Sequence, residues 1–251
     1  MSGHSKWAGI KHKKAIVDAQ KGKTFGKVIR EITVAARHGG GDVNANPRLR
    51  LAVSKAREAN MAKDKIDQAI QRGTGELPGV HYDEIQYEGY GPGGVAVLVD
   101  ALTDNKNRTS SEIRNIFTGH GGNMAGAGSV AWLFHKKGYL VIKQSQTTEE
   151  QLMTVVLDAG AEDVTSEGDV FAVTTPLPEF ERVRAALAQA KIPCESAEIT
   201  MIPANTVKVD GAKAKQVLEL VQSLEDHDDS QNVYANCDVP DDVLQAMHAQ
   251  S

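Results

Sequence analysis

Two periodicities divide this chain. Up to about residue 77 apolar positions recur every three or four residues, and beyond Tyr82 they alternate or gather in β-branched blocks. From Thr24 to His38, the residues Phe25, Val28, Ile29, Ile32 and Ala36 fill one helical face, and Gly39-Gly40-Gly41 ends the run. Asn46 and Pro47 supply a cap and a first-turn proline for a second helix reaching about Asn60. Ile66, Ala69 and Ile70 mark a third, closed by Gly73 and Gly75, and Gly73 to Gly79 reads as a linker.

Glu84 to Tyr90 and Val95 to Leu102 flank the turn Gly91-Pro92-Gly93-Gly94, the pattern of a hairpin. A helix over Thr109 to Thr118, a glycine-rich loop through Gly128 and a strand over Ser129 to Phe134 follow. Between about Gly138 and Ile202 the predicted order is strand (139–143), helix (148–159), strand (162–166), strand (170–174), helix (178–190), strand (196–202), the ferredoxin-like sequence of elements. Val207 to Val209, a helix over Gly211 to Leu224 and Asn232 to Asn236 are too few strands to close a sheet alone. They are expected to return to the sheet begun at Glu84, although three domains in a row also fit the spacing.

The expected fold is therefore α+β: an N-terminal three-helix domain (residues 1–77), a discontinuous α/β domain (78–136 plus 203–245), and a ferredoxin-like α/β domain (137–202) inserted into it. No apolar run is long enough to span a bilayer, and the first residues carry charge where a signal peptide needs an apolar stretch, so a cytoplasmic protein is expected. Cys194 and Cys237 are widely separated and lack a C-x-x-C pair, which suits a reducing compartment.

Charge changes the picture. Residues 1–75 hold 16 Lys and Arg against 6 Asp and Glu, a balance of +10, whereas residues 76–251 hold 12 against 27, a balance of −15. A polyanion would be drawn to one end and repelled by the rest; alternatively, the two parts neutralise one another on folding. In the first helix Lys23, Lys27, Arg30 and Arg37 fall within about an 80° arc opposite the apolar face. Gly3 to Lys14 packs His4, Lys6, Trp7, Lys11, His12, Lys13 and Lys14 into twelve residues with little to bury, the composition of an arm that holds phosphate and stacks on a base, or of a solvated terminus.

Few other stretches carry chemistry. The glycine loops lack the endings of a phosphate-binding loop, and no nucleophile elbow, zinc signature or calcium loop occurs, so neither catalysis nor a cofactor nor a metal is expected. Asp104 to Thr109, with Asn105, Lys106, Asn107 and Arg108, stands between a strand and a helix start where an anion could sit, or where capping alone explains it. The acidic run Glu225 to Asp229 reads as a solvated turn.

The motifs Gly3-His4-Ser5-Lys6-Trp7, Lys11-His12-Lys13-Lys14-Ala15, Gly39-Gly40-Gly41-Asp42, Asn46-Pro47-Arg48-Leu49-Arg50, Tyr87 to Gly94, Asp104 to Thr109 and Met201-Ile202-Pro203 occur in one order that closely resembles the YebC family, from Ser2 to about Tyr234. The resemblance implies a helical domain followed by two ferredoxin-like domains. It also implies a cytoplasmic, DNA-binding transcriptional regulator in bacteria, with mitochondrial relatives acting as translational activators and bacterial members linked to ribosomes stalled on proline-rich stretches. It carries over a nucleic-acid role to the Gly3 to Lys14 arm and to Arg48 and Arg50. The expected partner is thus DNA, or ribosomal RNA within the ribosome, met by Lys6, Lys11, Lys13, Lys14, Lys23, Lys27, Arg30, Arg48 and Arg50, with no membrane and an undetermined oligomeric state. The rivals are a protein-interaction module whose basic domain docks internally and, third, a small-molecule enzyme using the Asp104 to Thr109 loop.

Overall fold

The structure, a computed structural model, describes residues 21–240, with side chains from residue 24 onward. It is α+β and forms two compact units. Of the described residues, one unit comprises 21–129 together with Ala212–Val233; the other comprises Val130–Gly211 and residues 234–240.

The first unit begins with α1 (Lys21–Gly39), α2 (Pro47–Glu58) and α3 (Lys63–Thr74). Their shared core is built on Ile32, Leu49, Val53 and Ile66 among many alanines, so the helices approach closely. Closest is the crossing of α1 and α3, where a Cβ on Gly73 would stand 2.4 Å from the Thr33 carbonyl oxygen. A sheet follows, with β1 (Asp83–Tyr90), β2 (Ala96–Thr103), α4 (Lys106–Gly119) and β3 (Asn123–Ala125), completed by α7 (Gly211–Asp226) and β9 (Ser230–Ala235). Its strand order is β3-β1-β2-β9, with Tyr87 opposite Val99 in the antiparallel hairpin. Spatially this is the ferredoxin-like order, but the strand in the third position, β1, comes first along the chain.

The second unit holds β4 (Phe134–Lys143), α5 (Glu149–Asp158), β5 (Asp163–Glu167), β6 (Val170–Thr175), α6 (Phe180–Gln189) and β7 (Ser196–Pro203) in an antiparallel sheet of order β5-β6-β4-β7. That is the ferredoxin-like fold itself. Leu140, Ile142, Phe171 and Val173 meet Leu152, Val156, Val183 and Leu187 of the two helices. β8 (Val207–Lys208) and β10 (Cys237–Asp238) form a short parallel pair in the same unit.

Two strand assignments differ from the sequence reading. Residues 129–133 are not a strand: Ala131–Leu133 form a 3-10 turn, and β4 runs unbroken from Phe134 to Lys143. Gly138, which resembles a boundary in sequence, lies inside this strand, and glycine fits there because a Cβ would stand 2.4 Å from both Phe180 Cδ2 and Thr175 Oγ1. The glycine-rich loop in turn conceals β3, whose Met124 sits opposite Gly89.

Candidate nucleic-acid interface

The cap of α2 sets which of its arginines face inward. Asn46 is buried, its Oδ1 accepting from the Leu49 N–H (3.1 Å) while its Nδ2 donates to the carbonyls of Ala35 (2.8 Å) and Gly40 (2.9 Å). With the helix start pinned to α1, and Leu49, Ala52, Val53 and Ala56 turned inward, residues two apart point about 200° from each other. Arg48 and Arg50 consequently meet different surroundings.

Arg48 is held by two carboxylates. Its Nε and Nη2 donate to Glu31 at 2.7 and 3.1 Å, and its Nη1 and Nη2 donate to Glu84 at 2.9 and 3.0 Å. Hydrogen bonding to Glu31, then to Glu84, raises the guanidinium pKa further against the opposing effect of burial, and the Arg48 hydrogen bond in turn holds Glu84 below its usual range. Arg50 is exposed and enters no ion pair among the described residues.

Lys27, Arg30 and Arg37 of the basic stripe of α1 all meet acceptors of this chain. Residues 32–36 are all buried, so α1 is covered on several sides at once. Lys27 Nζ donates to the carbonyl of Glu225 and Arg30 Nη1 to that of Asp228, placing two cations at the C-terminal end of α7, where carbonyls lack partners and the helix dipole is negative. Arg30 Nη2 also lies 3.4 Å from Asp229 Oδ1, and its guanidinium stands 5.8 Å over the Tyr82 ring. Burial lowers the Lys27 pKa, and the charges of Glu225, Asp226 and Asp228 only partly oppose it. Arg37 Nη1 bonds His81 Nδ1 at 2.6 Å. Lys27, Arg30 and Arg48, expected to offer their charges to an outside polyanion, are each engaged by acceptors of this chain: Lys27 and Arg30 where α7 ends against α1, and Arg48 by Glu31 of α1 and Glu84 of β1.

Exposed cations remain on α2 and α3. Arg50, Lys55, Arg57, Lys63, Lys65 and Arg72 enter no ion pair among the described residues, against Glu58, Asp64 and Asp67 on the same two helices. Arg50 and Arg57 share a flank of α2 about 10.5 Å apart along the axis. His4, Lys6, Trp7, Lys11, His12, Lys13 and Lys14 lie outside the described residues, as does the side chain of Lys23.

The Asp104 to Thr109 loop meets an anion supplied by the chain itself. Asp229 Oδ2 accepts from Arg108 Nη2 at 2.7 Å and from Thr109 Oγ1 at 2.6 Å, and the residue is 2% exposed. With the Thr109 proton directed to Asp229, Thr103 donates to Thr109 (2.7 Å) and accepts from the Asn105 N–H (2.9 Å), a chain of bonds that polarise one another. Burial pushes the Asp229 carboxyl up, but the hydrogen bonds from Thr109 and Arg108 and the charges of Arg30 and Arg108 hold it below the ordinary carboxylate range. Asn105 caps α4 through the Arg108 N–H (3.1 Å), and Lys106 Nζ lies 3.3 Å from Asp83. Asn107 lends its carbonyl to Ser111 at 2.9 Å. Asp229 is the residue the sequence reading missed; inside an acidic run, nothing local sets it apart from the less buried Glu225, Asp226 and Asp228.

Two family models cover nearly the whole chain: the TACO1/YebC protein N-terminal domain matches residues 5–76, and the TACO1/YebC second and third domain matches residues 82–237. The chain belongs to the TACO1/YebC family. Relatives called "Probable transcriptional regulatory protein" occur in Desulfatibacillum aliphaticivorans, 56% identical over 97% of this chain and 99% of that one. Others are found in Dictyoglomus turgidum, 55% identical over 98% and 100%, and in Syntrophobacter fumaroxidans, 57% identical over 97% and 98%. The crystal structure of the conserved hypothetical protein Aq1575 from Aquifex aeolicus has the same architecture, with a TM-score of 0.80 and 48% identity over 93% of this chain and 97% of that one. Among the described residues of this TACO1/YebC protein, no helix is long and apolar enough to cross a membrane.

Proposed function

We propose that this TACO1/YebC protein is a cytoplasmic, non-enzymatic regulator of gene expression that binds nucleic acid through its N-terminal basic region. The contact surface in this reading is the outward side of α2 and α3, led by Arg50 and Arg57, together with the lysines of residues 4–14 and Trp7. The observation that carries it is the contrast between two arginines of α2 that stand two residues apart. Arg48 is tied to Glu31 and Glu84, whereas Arg50 and its neighbours keep exposed charge without a carboxylate partner among the described residues. The relatives are named probable transcriptional regulatory proteins, which supports a regulatory role in transcription.

Seven residues separate α1 from α2, longer than the tight turn of a helix-turn-helix. Binding in this reading is therefore dominated by phosphate contacts, which suit an irregular RNA surface as well as a duplex. Titrating labelled duplex DNA and a structured RNA against salt tests it. With about five phosphate contacts, log K falls against log salt with a slope of about −3.5 to −4.5. A flat dependence for both nucleic acids sinks the proposal.

A further inference from the structure

The second unit carries a surface that the basic region does not explain. On α5, Met153 and Leu157 stand one turn apart and are 38% and 44% exposed. Glu149, Glu150 and Asp158 surround this ridge, and the six residues including Thr154 line one shallow surface depression. The α5 sequence has no Lys or Arg.

Four carboxylates elsewhere in the unit pair with cations: Glu162 with Lys137, Glu179 with Arg182, Glu181 with Arg184 and Glu195 with Lys143. Glu149, Glu150 and Asp158 enter no ion pair among the described residues. Acids in the first turn suit the helix dipole, which accounts for Glu149 and Glu150. Asp158 occupies the last turn, where a negative charge is unfavourable. Arg182 reaches only its carbonyl (2.9 Å) while pairing with Glu179.

We infer that this face of α5 docks a basic amphipathic helix of a protein partner, one that sets two apolar side chains a turn apart against Met153 and Leu157 and flanks them with Lys or Arg. Charge selects this occupant. Residues 130–211 hold 12 Asp and Glu against 7 Lys and Arg, so nucleic acid and anionic lipid are both repelled. A cation beside Asp158 and Glu150 gains steering and register, and burial of the ridge adds the apolar part of the affinity.

The test titrates the full-length protein with a synthetic helical peptide of 14 residues, roughly the length that spans the α5 face, carrying two leucines one turn apart among lysines. Amide resonances of α5 are expected to shift, and M153S/L157S is expected to weaken binding about tenfold, the equivalent of one lost apolar side chain. Because these residues are partly packed, E150K/D158K serves as a second variant that leaves the ridge intact, with the same direction of effect. Unchanged affinity in both variants overturns the inference. So does equal binding of a peptide with serines in place of the leucines. Sedimentation showing that the protein associates with itself, with M153S/L157S abolishing that association, assigns the face to a second copy and also overturns it.

Discussion

Arg108 and Asp229 lie 121 residues apart in sequence and 2.7 Å apart in space. Their pairing joins the start of α4 to the turn between α7 and β9, and Arg30 approaches the same carboxylate from α1. Asp229→Asn keeps the shape of the side chain but removes the charge that Arg108 and Arg30 face. A loss of about 1–3 kcal/mol is expected in denaturant unfolding, and stability within 0.5 kcal/mol of the wild type would show that the node carries little.

The same node sets a pH dependence. The folded-state pKa of Asp229 lies below its ordinary value, so its contribution is fully present above the unfolded value of about 3.9 and is lost as pH falls through the folded value. Glu84 behaves in the same direction through Arg48. Acid titration of the melting temperature is expected to be shallower for Asp229→Asn than for the wild type below about pH 4. Parallel curves would contradict the assignment.

Arg48 and Arg50 separate stability from binding. Arg48→Ala leaves Glu31 and Glu84 without their shared partner, and because the site is partly exposed the cost is about 1 kcal/mol. Arg50→Ala changes stability by less than about 0.5 kcal/mol but is expected to flatten the salt slope of nucleic-acid binding by about one phosphate contact. The opposite pattern, with Arg50 stabilising and Arg48 binding, would invert the reading of α2.

Gly138→Ala forces a methyl against the Phe180 ring and Thr175 Oγ1, both 2.4 Å from the new Cβ, at an expected cost of about 1–3 kcal/mol. Gly126→Ala is the control, since nothing lies within 4 Å of its Cβ. Equal melting temperatures for the two variants would mean that Phe180 repacks without strain.

Both thiols are protected. Burial pushes Cys237 up to about 12, and burial also raises Cys194 against the hydrogen bonds it makes to the Val141 and Ser196 carbonyls. Since the thiolate is the reactive form, a thiol reagent at pH 8 is expected to leave Cys237 unmodified in the native protein and to label both after unfolding. Stoichiometric native labelling of Cys237, read by mass spectrometry, would refute this.

Most elements are legible in the sequence because their signals are local. Periodicity, the Asn46-Pro47 cap and the turn at Gly91 to Gly94 locate α1 to α3 and the β1–β2 hairpin, and the β-α-β-β-α-β order announces the inserted ferredoxin-like unit. Where local signals mislead, packing explains it: Gly138 is a strand interior made small by Phe180, and the three residues of β3 are too few to show a pattern against their glycines.

Which charges face outward is a different kind of property. The sequence by itself determined that cations gather in the first 75 residues and that α1 carries them in a stripe. Only the tertiary structure decided that Lys27 and Arg30 meet the end of α7, that Arg48 meets Glu31 and Glu84, and that the acidic run contributes a buried Asp229 to the Asp104 to Thr109 loop. A helix period is fixed by neighbouring residues, whereas the state of a charge depends on whichever group the fold brings within a few ångströms, and that group here stands up to some two hundred residues away.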